Sequence, residues 1–323
     1  MSNIVRNASH AGSWYSDDGS ELNNELSAWL DSVNPSGDAY PIKGCKAVIA
    51  PHAGYSYSGP TAAWAYKSID TTEIKRVFIL GPSHHYYLAG CALSRCTEYE
   101  TPIGNLPLDL ETIQELRSTG QFESMTLKAD EEEHSIEMHL PYIRKVFEGL
   151  DIKIVPVLVG AISKEIEAVF GELLSPYLAR EDTLCVVSSD FCHWGTRFSY
   201  TYYYPEPAPS DAAGYRLSRS SAPSPSYPIY ESITRLDHEA TNLLTLPPST
   251  AADAHEEFAK YLSRTKNTIC GRHPIGVLFG AMAQLERTQG AHPTVKWVKY
   301  DQSSHCHRIN DSSVSYASAW IRF

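Results

Sequence analysis

The sequence predicts an α/β protein of three layers, in which helices flank a central sheet that is largely parallel or mixed. Apolar runs rich in valine and isoleucine occur at 46–50, 76–80, 152–159 and 183–188. Such continuous runs are typical of strands that are buried on both faces. Amphipathic stretches separate them, and strands that alternate with helices indicate parallel strands joined by crossover connections.

The helices are predicted from the spacing of apolar residues. The first has an apolar face formed by Leu22, Leu26, Trp29 and Leu30, and Ser20 is its expected N-cap. Further helices are predicted at 60–68, 109–118, 132–148, 163–178, 230–245, 250–263 and 274–287. The last two strands, at 294–300 and 313–321, are close in sequence and are expected to pair antiparallel at an edge of the sheet.

A chain of 323 residues can form one large α/β domain or two smaller ones. Residues 205–228 are rich in Pro, Ser and Ala and show little apolar periodicity, which is typical of a flexible, solvent-exposed insertion. A linker between two domains is the alternative, but motifs that look like parts of one site lie on both sides of this segment. We therefore expect a single domain, 1–323, that contains the insertion 205–228.

The composition argues against several classes of function. The formal net charge is −11, whereas a nucleic-acid-binding protein needs a basic face. No apolar run approaches the roughly 20 residues that span a bilayer, and the first residues lack the apolar stretch of a secretory signal. Seven cysteines without a C-x-x-C pair do not resemble a disulfide framework. We expect a cytoplasmic protein, with the nucleus as a second compartment, no nucleic-acid partner and no membrane insertion.

Four junctions along the chain contain residues that bind metals or transfer protons. They are 49–55 with His52, 80–85 with His84 and His85, 187–194 with Asp190 and His193, and 268–274 with Cys270. In an α/β protein, active-site groups collect outside the carboxyl ends of the strands. The four junctions therefore predict one assembled site.

The histidines at the first two junctions are candidate metal ligands, because neutral imidazole is the commonest metal-binding side chain. His52 lies in a turn that contains glycine, where a histidine bonded to the backbone is the alternative. His84 and His85 are adjacent, and adjacent side chains of an extended chain point in opposite directions. At most one of this pair is expected to face the metal.

Asp190 and His193 are candidate catalytic residues. A carboxylate and an imidazole three positions apart can act as general acid and base, or can orient metal ligands. A loop-capping aspartate beside a surface histidine is the structural alternative. A serine hydrolase built from Ser188 or Ser189 is disfavoured, since a base next to its nucleophile in one short loop rarely has the required geometry.

The acidic segment 131–139 contains His134 and His139. It has neither H-E-x-x-H nor H-x-x-E-H, so it does not predict a zinc protease. We expect His134 to face the site and His139 to be structural.

Cys270 precedes a predicted helix. A helix N-terminus or a bound metal would lower the pKa of its thiol and favour the thiolate. A buried, inert cysteine is the alternative.

Six segments of the chain together resemble the Memo family, which is named for a mediator role in receptor-driven cell motility. In chain order they are HAGSWY (10–15), PHAGY (51–55), GPSHH (81–85), EHSIEMHLP (133–141), SSDFCHWG (188–195) and NTICGRHPIG (267–276). The resemblance covers nearly the whole chain outside 205–228. The fold of this family is similar to that of class III extradiol dioxygenases, which are non-haem iron enzymes, so the resemblance implies a dioxygenase-like α/β fold.

The resemblance also implies a metal site made by His52, His85 and Cys270, with Asp190 and His193 lining the same pocket. It implies one iron or copper ion per chain and a role in redox-metal homeostasis and cell motility signalling. Oxygen-activating extradiol enzymes use two histidines and a carboxylate. A thiolate as third ligand is softer, favours Cu(I), and can also hold Fe(II) or Zn(II).

Two alternative functions are compatible with the same resemblance. One is an active dioxygenase that acts on an unknown aromatic substrate. The other is a non-enzymatic adaptor that binds phosphotyrosine peptides of signalling proteins. For the adaptor, Arg272 and His273 lie near a helix start and are candidates to receive the anion.

Overall fold

The computed structural model describes residues 3–218 and 222–323, with a mixed β-sheet at the centre. The strands, in chain order, are β1 (Val5–Arg6), β2 (Ala47–Ala50), β3 (Arg76–Pro82), β4 (Cys91–Leu93), β5 (Glu98–Tyr99), β6 (Leu106–Pro107), β7 (Phe122–Ser124), β8 (Lys153–Val159), β9 (Thr183–Ser188), β10 (His193–Trp194), β11 (Tyr202–Tyr203), β12 (Tyr215–Arg216), β13 (Thr294–Gln302) and β14 (Ser313–Arg322). Strands β1, β5 and β6 form a small separate sheet, and β11 pairs with β12.

The central sheet has the strand order β10-β14-β2-β9-β3-β8-β4-β7, and β13 pairs with β14. The middle strands β2, β9, β3 and β8 are parallel, whereas β14 and β4 run antiparallel to β2 and β8. The parallel strands are buried along their lengths except at the first residues of β3 and β8, as in a sheet covered on both faces. The predicted α/β fold with a mixed sheet is confirmed, and so is the antiparallel pairing of the last two strands.

Helices flank the sheet, with α2 against β2 and β14 and with α7 and α10 against β9. Their bounds are α1 (Gly19–Ser32), α2 (Tyr55–Lys67), α3 (Leu110–Ser118), α4 (Leu127–Glu132), α5 (His134–Glu137), α6 (Leu140–Val146), α7 (Lys164–Leu178), α8 (Ile229–Leu243), α9 (Ala251–Thr265) and α10 (Arg272–Gln289). Two helix starts differ from the prediction. Asp18, and not Ser20, caps α1, because its carboxylate accepts from the backbone N–H groups of Ser20 and Glu21. Helix α2 begins at Tyr55 instead of residue 60, so Pro60 lies inside it.

The single helix predicted at 132–148 is wrong. The segment contains the last residue of α4 and the whole of the short helices α5 and α6. Glu133 is extended, with φ −85° and ψ 123°, and its carboxylate caps α5 by accepting from the N–H of Ser135. Pro141 lies in the first turn of α6, where its missing N–H is tolerated; inside a continuous helix it would remove a hydrogen bond. These two residues divide the segment.

The predicted insertion 205–228 contains β12, which pairs with β11. Residues 219–221 of this insertion lie outside the described part of the chain. Within residues 3–218 and 222–323, no helix combines the length and apolar character that crossing a bilayer demands.

The order of the parallel strands brings three of the predicted junctions together. Strand β9 lies between β2 and β3, with Ala50 opposite Ser188 and Leu80 opposite Val187. Because parallel strands have their carboxyl ends at one edge of the sheet, the loops that follow them emerge side by side. The loop between α9 and α10 brings Cys270 to the same edge, where its sulfur meets the His52 ring.

Candidate metal centre

His52 follows β2 and is almost completely buried, with 2% of its surface exposed. Its Nδ1 lies 2.6 Å from the hydroxyl oxygen of Ser188, and that hydroxyl donates to the Ser135 carbonyl oxygen at 2.8 Å. Since a hydroxyl has a single proton, Ser188 must accept from His52 Nδ1–H. Nε2 of His52 therefore carries the lone pair that a metal ion needs.

His84 follows β3 and is held by Glu133. The Glu133 carboxylate accepts from the His84 backbone N–H at 2.7 Å and from Nδ1 at 2.9 Å. Burial opposes ionisation of Glu133, but the hydrogen bond from His84 and the nearby histidines outweigh it and lower its pKa to about 2. An ionised carboxylate only accepts hydrogen bonds, so Nδ1 of His84 carries the proton and Nε2 is again the free ligand atom.

Cys270 lies in the loop before α10, with its sulfur 3.1 Å from Nε2 of His52. Gly271 allows this approach, because a Cβ atom at that position would lie 2.3 Å from the Ser188 carbonyl oxygen at the end of β9. Burial and the neighbouring Asp190 raise the pKa of the Cys270 thiol well above its usual range. Without an added cation the thiol is therefore protonated.

Potential ligand atoms of His52, His84 and Cys270 all lie within 4.8 Å of one another. His85 belongs to none of the groups of potential ligands among the described residues. This geometry brings His84, and not His85, together with the other two candidate ligands, and the predicted set of His52, His85 and Cys270 stays a prediction. The hydrogen bond to Glu133 holds the His84 ring toward the site, whereas the His85 ring lies 5.8 Å from the His134 ring and outside these ligand groups.

Asp190 and His193 lie in the same site. Asp190 accepts from the backbone N–H of His52 at 2.8 Å, and its other oxygen is 4.0 Å from His52 Nε2. Nδ1 of His193 faces the carbonyl oxygens of Phe191 and Thr268 at 2.9 and 3.0 Å, which makes it a donor and leaves Nε2 as the basic nitrogen. Asp190, His193 and Cys270 form a second group whose ligand atoms lie within 4.8 Å. Both residues are therefore placed either to transfer protons or to orient ligands.

The serine hydrolase alternative finds no support in this geometry. Ser188 and Ser189 are fully buried. The Ser189 hydroxyl donates to the Asp190 carbonyl oxygen and Ser188 is used by His52 and Ser135. A nucleophile has to be accessible to substrate, and neither hydroxyl is.

His134 is the central aromatic ring of the site, with its centroid 4.3 Å from that of His84 and 4.5 Å from that of Trp14. Burial and the nearby His84 lower the pKa of His134 to about 3, so the ring is neutral. The predicted position of His134 agrees with this arrangement, and His139 bonds to the Tyr66 hydroxyl away from the cluster. Glu133 was missed by sequence reasoning, because no local spacing relates it to His84.

A cavity of about 550 Å³ opens onto these residues. Besides the histidines and Asp190, its lining includes aromatic rings, four serines and one guanidinium: Trp14, Tyr57, Phe198, Tyr316, Ser303, Ser304, Ser312, Ser313 and Arg197. Arg272 and His273 line a different cleft, between α7, α9 and the start of α10. Arg272 and His273 therefore do not line the cavity at His52, and their predicted role in receiving an anion stays a prediction.

Fold and site together describe an α/β protein with a candidate His₂Cys centre at the carboxyl edge of its sheet. The model of the family described as Memo-like protein matches residues 6–320. The chain is 46% identical over 323 residues to Protein MEMO1 of Xenopus laevis and to Protein MEMO1 of Homo sapiens, with 98% of each chain covered. It is 41% identical over 315 residues to Protein memo-1 homolog of Caenorhabditis elegans, covering 97% of this chain and 81% of that one.

The chain belongs to the Memo family. A solved structure, uncharacterized protein JW3007 from Escherichia coli K12, superposes with a TM-score of 0.49 and 12% identity, covering 86% of this chain and 99% of that one.

Proposed function

We propose that this chain is an intracellular redox-metal protein that binds one iron or copper ion through His52, His84 and Cys270. The observation that carries the proposal is the convergence of their ligand atoms within 4.8 Å. Two nitrogen lone pairs are already directed by hydrogen bonds, because Nδ1–H of His52 donates to Ser188 and Nδ1–H of His84 donates to Glu133. Orientation of metal-binding histidines by such partners is a regular property of metal sites.

The electrostatics of Cys270 support the same proposal. Burial and the neighbouring Asp190 disfavour the thiolate more than the charge of Arg272 favours it, and among the described residues no lysine or arginine donates a hydrogen bond to the sulfur. A metal ion supplies the missing positive charge and binds the thiolate in place of the proton. When bound, the ion would contribute redox chemistry, and the protein groups around it would fix its ligands and limit its exposure to water.

The donor set guides the choice of metal. Two imidazoles and one thiolate form a soft set that favours Cu(I) and also accommodates Fe(II). The family resemblance implies a role in redox-metal homeostasis and cell motility signalling. That role depends on a redox-active metal, iron or copper, being the bound ion.

Metal analysis of purified protein tests the proposal. Wild type, loaded anaerobically with iron or with copper and then desalted, is expected to retain about one ion per chain. A variant with His52→Ala, His84→Ala and Cys270→Ser is expected to retain almost none. Equal metal contents in the two proteins would overturn the proposal.

A second candidate function is oxidation of an aromatic substrate. The observation that favours it is the cavity of about 550 Å³ beside His193, whose Nε2 is available as a base. Pockets of roughly 300–1,000 Å³ are typical for small-molecule ligands. Oxygen uptake by iron-loaded protein with a panel of catechols tests it, with His193→Gln as the variant that should lose uptake. No uptake with any catechol would contradict this candidate.

The phosphotyrosine-adaptor hypothesis also needs a cation in this cavity. Among the residues that line the cavity, Arg197 carries the guanidinium group. Its Cζ atom lies 4.5 Å from the centroid of the Phe198 ring. Calorimetry with a phosphotyrosine peptide, using wild type and Arg197→Gln, tests this role. Absence of binding by metal-loaded and metal-free wild type would contradict it.

A further inference from the structure

We propose that a second cleft binds a small oxyanion, either free phosphate or the phosphate group of a small monoester. It lies between α7, α9 and the start of α10 and has a volume of about 260 Å³. We call it the basic cleft and define it by Lys164, Glu167, His255, Lys266, Arg272 and His273. None of these residues lines the cavity at His52, so the proposal is independent of the metal site.

Two cations of the basic cleft have no acidic partner. Within residues 3–218 and 222–323, neither Lys266 nor Arg272 forms an ion pair, and Arg272 donates only to the carbonyl oxygen of Ile269, at 3.2 Å. Lys164 differs, because it is paired with Glu256.

Glu167 is the carboxylate of the cleft, and both of its oxygens are already engaged. Oε2 lies 2.6 Å from Nε2 of His255, and Oε1 lies 2.6 Å from Nδ1 of His273. Burial opposes ionisation, but the hydrogen bonds from these two imidazoles outweigh it and lower the pKa of Glu167. The carboxylate is therefore ionised and held by the histidines, and it forms no ion pair with Lys266 or Arg272.

Close packing fixes Glu167 in this position. A Cβ atom at position 276 of α10 would lie 2.1 Å from Glu167 Oε2, so Gly276 provides the space for the carboxylate. Glu167 of α7 is thereby hydrogen-bonded to His255 of α9 and to His273 of α10. With Lys164 offset by Glu256 and Glu167 ionised, Lys266 and Arg272 leave the cleft with one net positive charge.

An oxyanion fits this arrangement in charge and size. Lysine and arginine are the side chains that bind phosphate oxygens, and hydrogen bonds between charged groups are stronger than neutral ones. The start of α10 has no side-chain cap, and the positive end of its dipole adds to the field in the cleft. A cleft of about 260 Å³ is below the usual size of small-molecule pockets, which favours a single anionic group over a large ligand.

Titration calorimetry with sodium phosphate tests the proposal, using chelator-treated protein at constant ionic strength so that the metal site does not contribute. A second arm with O-phosphoserine distinguishes a phosphate monoester from free phosphate as the preferred form. Wild type is expected to show saturable binding of at least one of the two. Lys266→Gln and Arg272→Gln are each expected to weaken it by about 10-fold or more, since each removes a charged hydrogen-bond donor.

Two matched variants serve as controls. Lys43→Gln and Arg95→Gln remove exposed cations that lie outside the basic cleft and should leave binding unchanged. Circular dichroism should show that all four variants are folded. No saturable binding of either probe to wild type would overturn the proposal. So would wild-type affinity in the Lys266→Gln/Arg272→Gln double variant.

Because the assay uses metal-free protein, its failure would not affect the metal proposal. Failure of metal binding would likewise leave this proposal standing.

Discussion

Two buried polar clusters share the segment 130–137, and they are balanced in different ways. In the first, Arg6 is fully buried and pairs with Glu137 at 2.7 Å and with Asp130 at 3.3 Å. Tyr99 and Ser94 donate to Asp130, and Tyr15 donates to Glu137. This cluster contains its own cation, and its charged groups have hydrogen-bond partners.

In the second cluster, His52, His84, His134 and Cys270 lie together without a lysine or arginine among the groups that converge. Burial lowers the pKa of His52 and His134 and raises that of Cys270, so all three are neutral. Glu133, between the two carboxylates of the first cluster in sequence, orients His84.

The comparison shows that neighbouring acidic residues have separate roles. Asp130 and Glu137 form ion pairs with Arg6, whereas Glu133 orients His84, a candidate ligand for a metal ion. The first cluster is complete without an ion. The thiolate form of the second cluster gains a positive partner only when a cation is added.

The largest expected effect is on the stability of the first cluster. Arg6→Ala leaves two buried carboxylates without their cation and is expected to lower the free energy of unfolding by about 3–5 kcal/mol. Urea unfolding measures it. Lys67→Ala is the control, because Lys67 pairs with Asp31 on the surface and should cost less than about 1 kcal/mol. Equal losses of unfolding free energy for the two variants would contradict the distinction between a buried cluster that contains its own cation and an ordinary surface ion pair.

The next largest effect should separate His84 from His85. His84→Ala is expected to lower copper affinity by more than about 100-fold, since losing a ligand should exceed the 10–100-fold loss typical of its supporting groups. His85→Ala is expected to have little effect. Competition with a chromophoric Cu(I) chelator measures both affinities. A larger loss in His85→Ala would restore the ligand set predicted from the sequence.

A smaller effect is expected for Glu133→Gln, which keeps the shape of the side chain but removes its charge. Metal affinity should fall by roughly 10–100-fold, because His84 loses the carboxylate that orients its ring. The same competition assay measures it, with the exposed Glu132→Gln as control. If metal affinity stayed at the wild-type value, the carboxylate of Glu133 would not be needed to orient His84 for metal binding.

Much of the architecture was predictable because it depends on local patterns. The runs at 46–50 and 183–188 identified β2 and β9, and the residues that follow them include His52 and Asp190. Cys270 was grouped with these junctions from the sequence, and its role as a metal ligand came from the family resemblance. Its contact with His52 spans 218 residues of sequence, and no local pattern encodes such a distance.

The points that local patterns left open or wrong have the same origin. Choosing between His84 and His85 requires Glu133, which is 49 positions away from His84. The break of the predicted helix 132–148 has the same cause, because Glu133 leaves the helical conformation where it binds His84. The same distant hydrogen-bonded pair therefore bears on the choice between His84 and His85 and, together with Pro141, on the break of the predicted helix.

X-ray absorption spectroscopy of copper-loaded protein tests the central claim most directly, because it counts the atoms bound to the ion. With His52, His84 and Cys270 as ligands, the spectrum should contain one sulfur scatterer and two imidazole nitrogens, and Cys270→Ser should remove the sulfur. A spectrum with only nitrogen and oxygen scatterers, or one that Cys270→Ser leaves unchanged, would contradict the proposed centre.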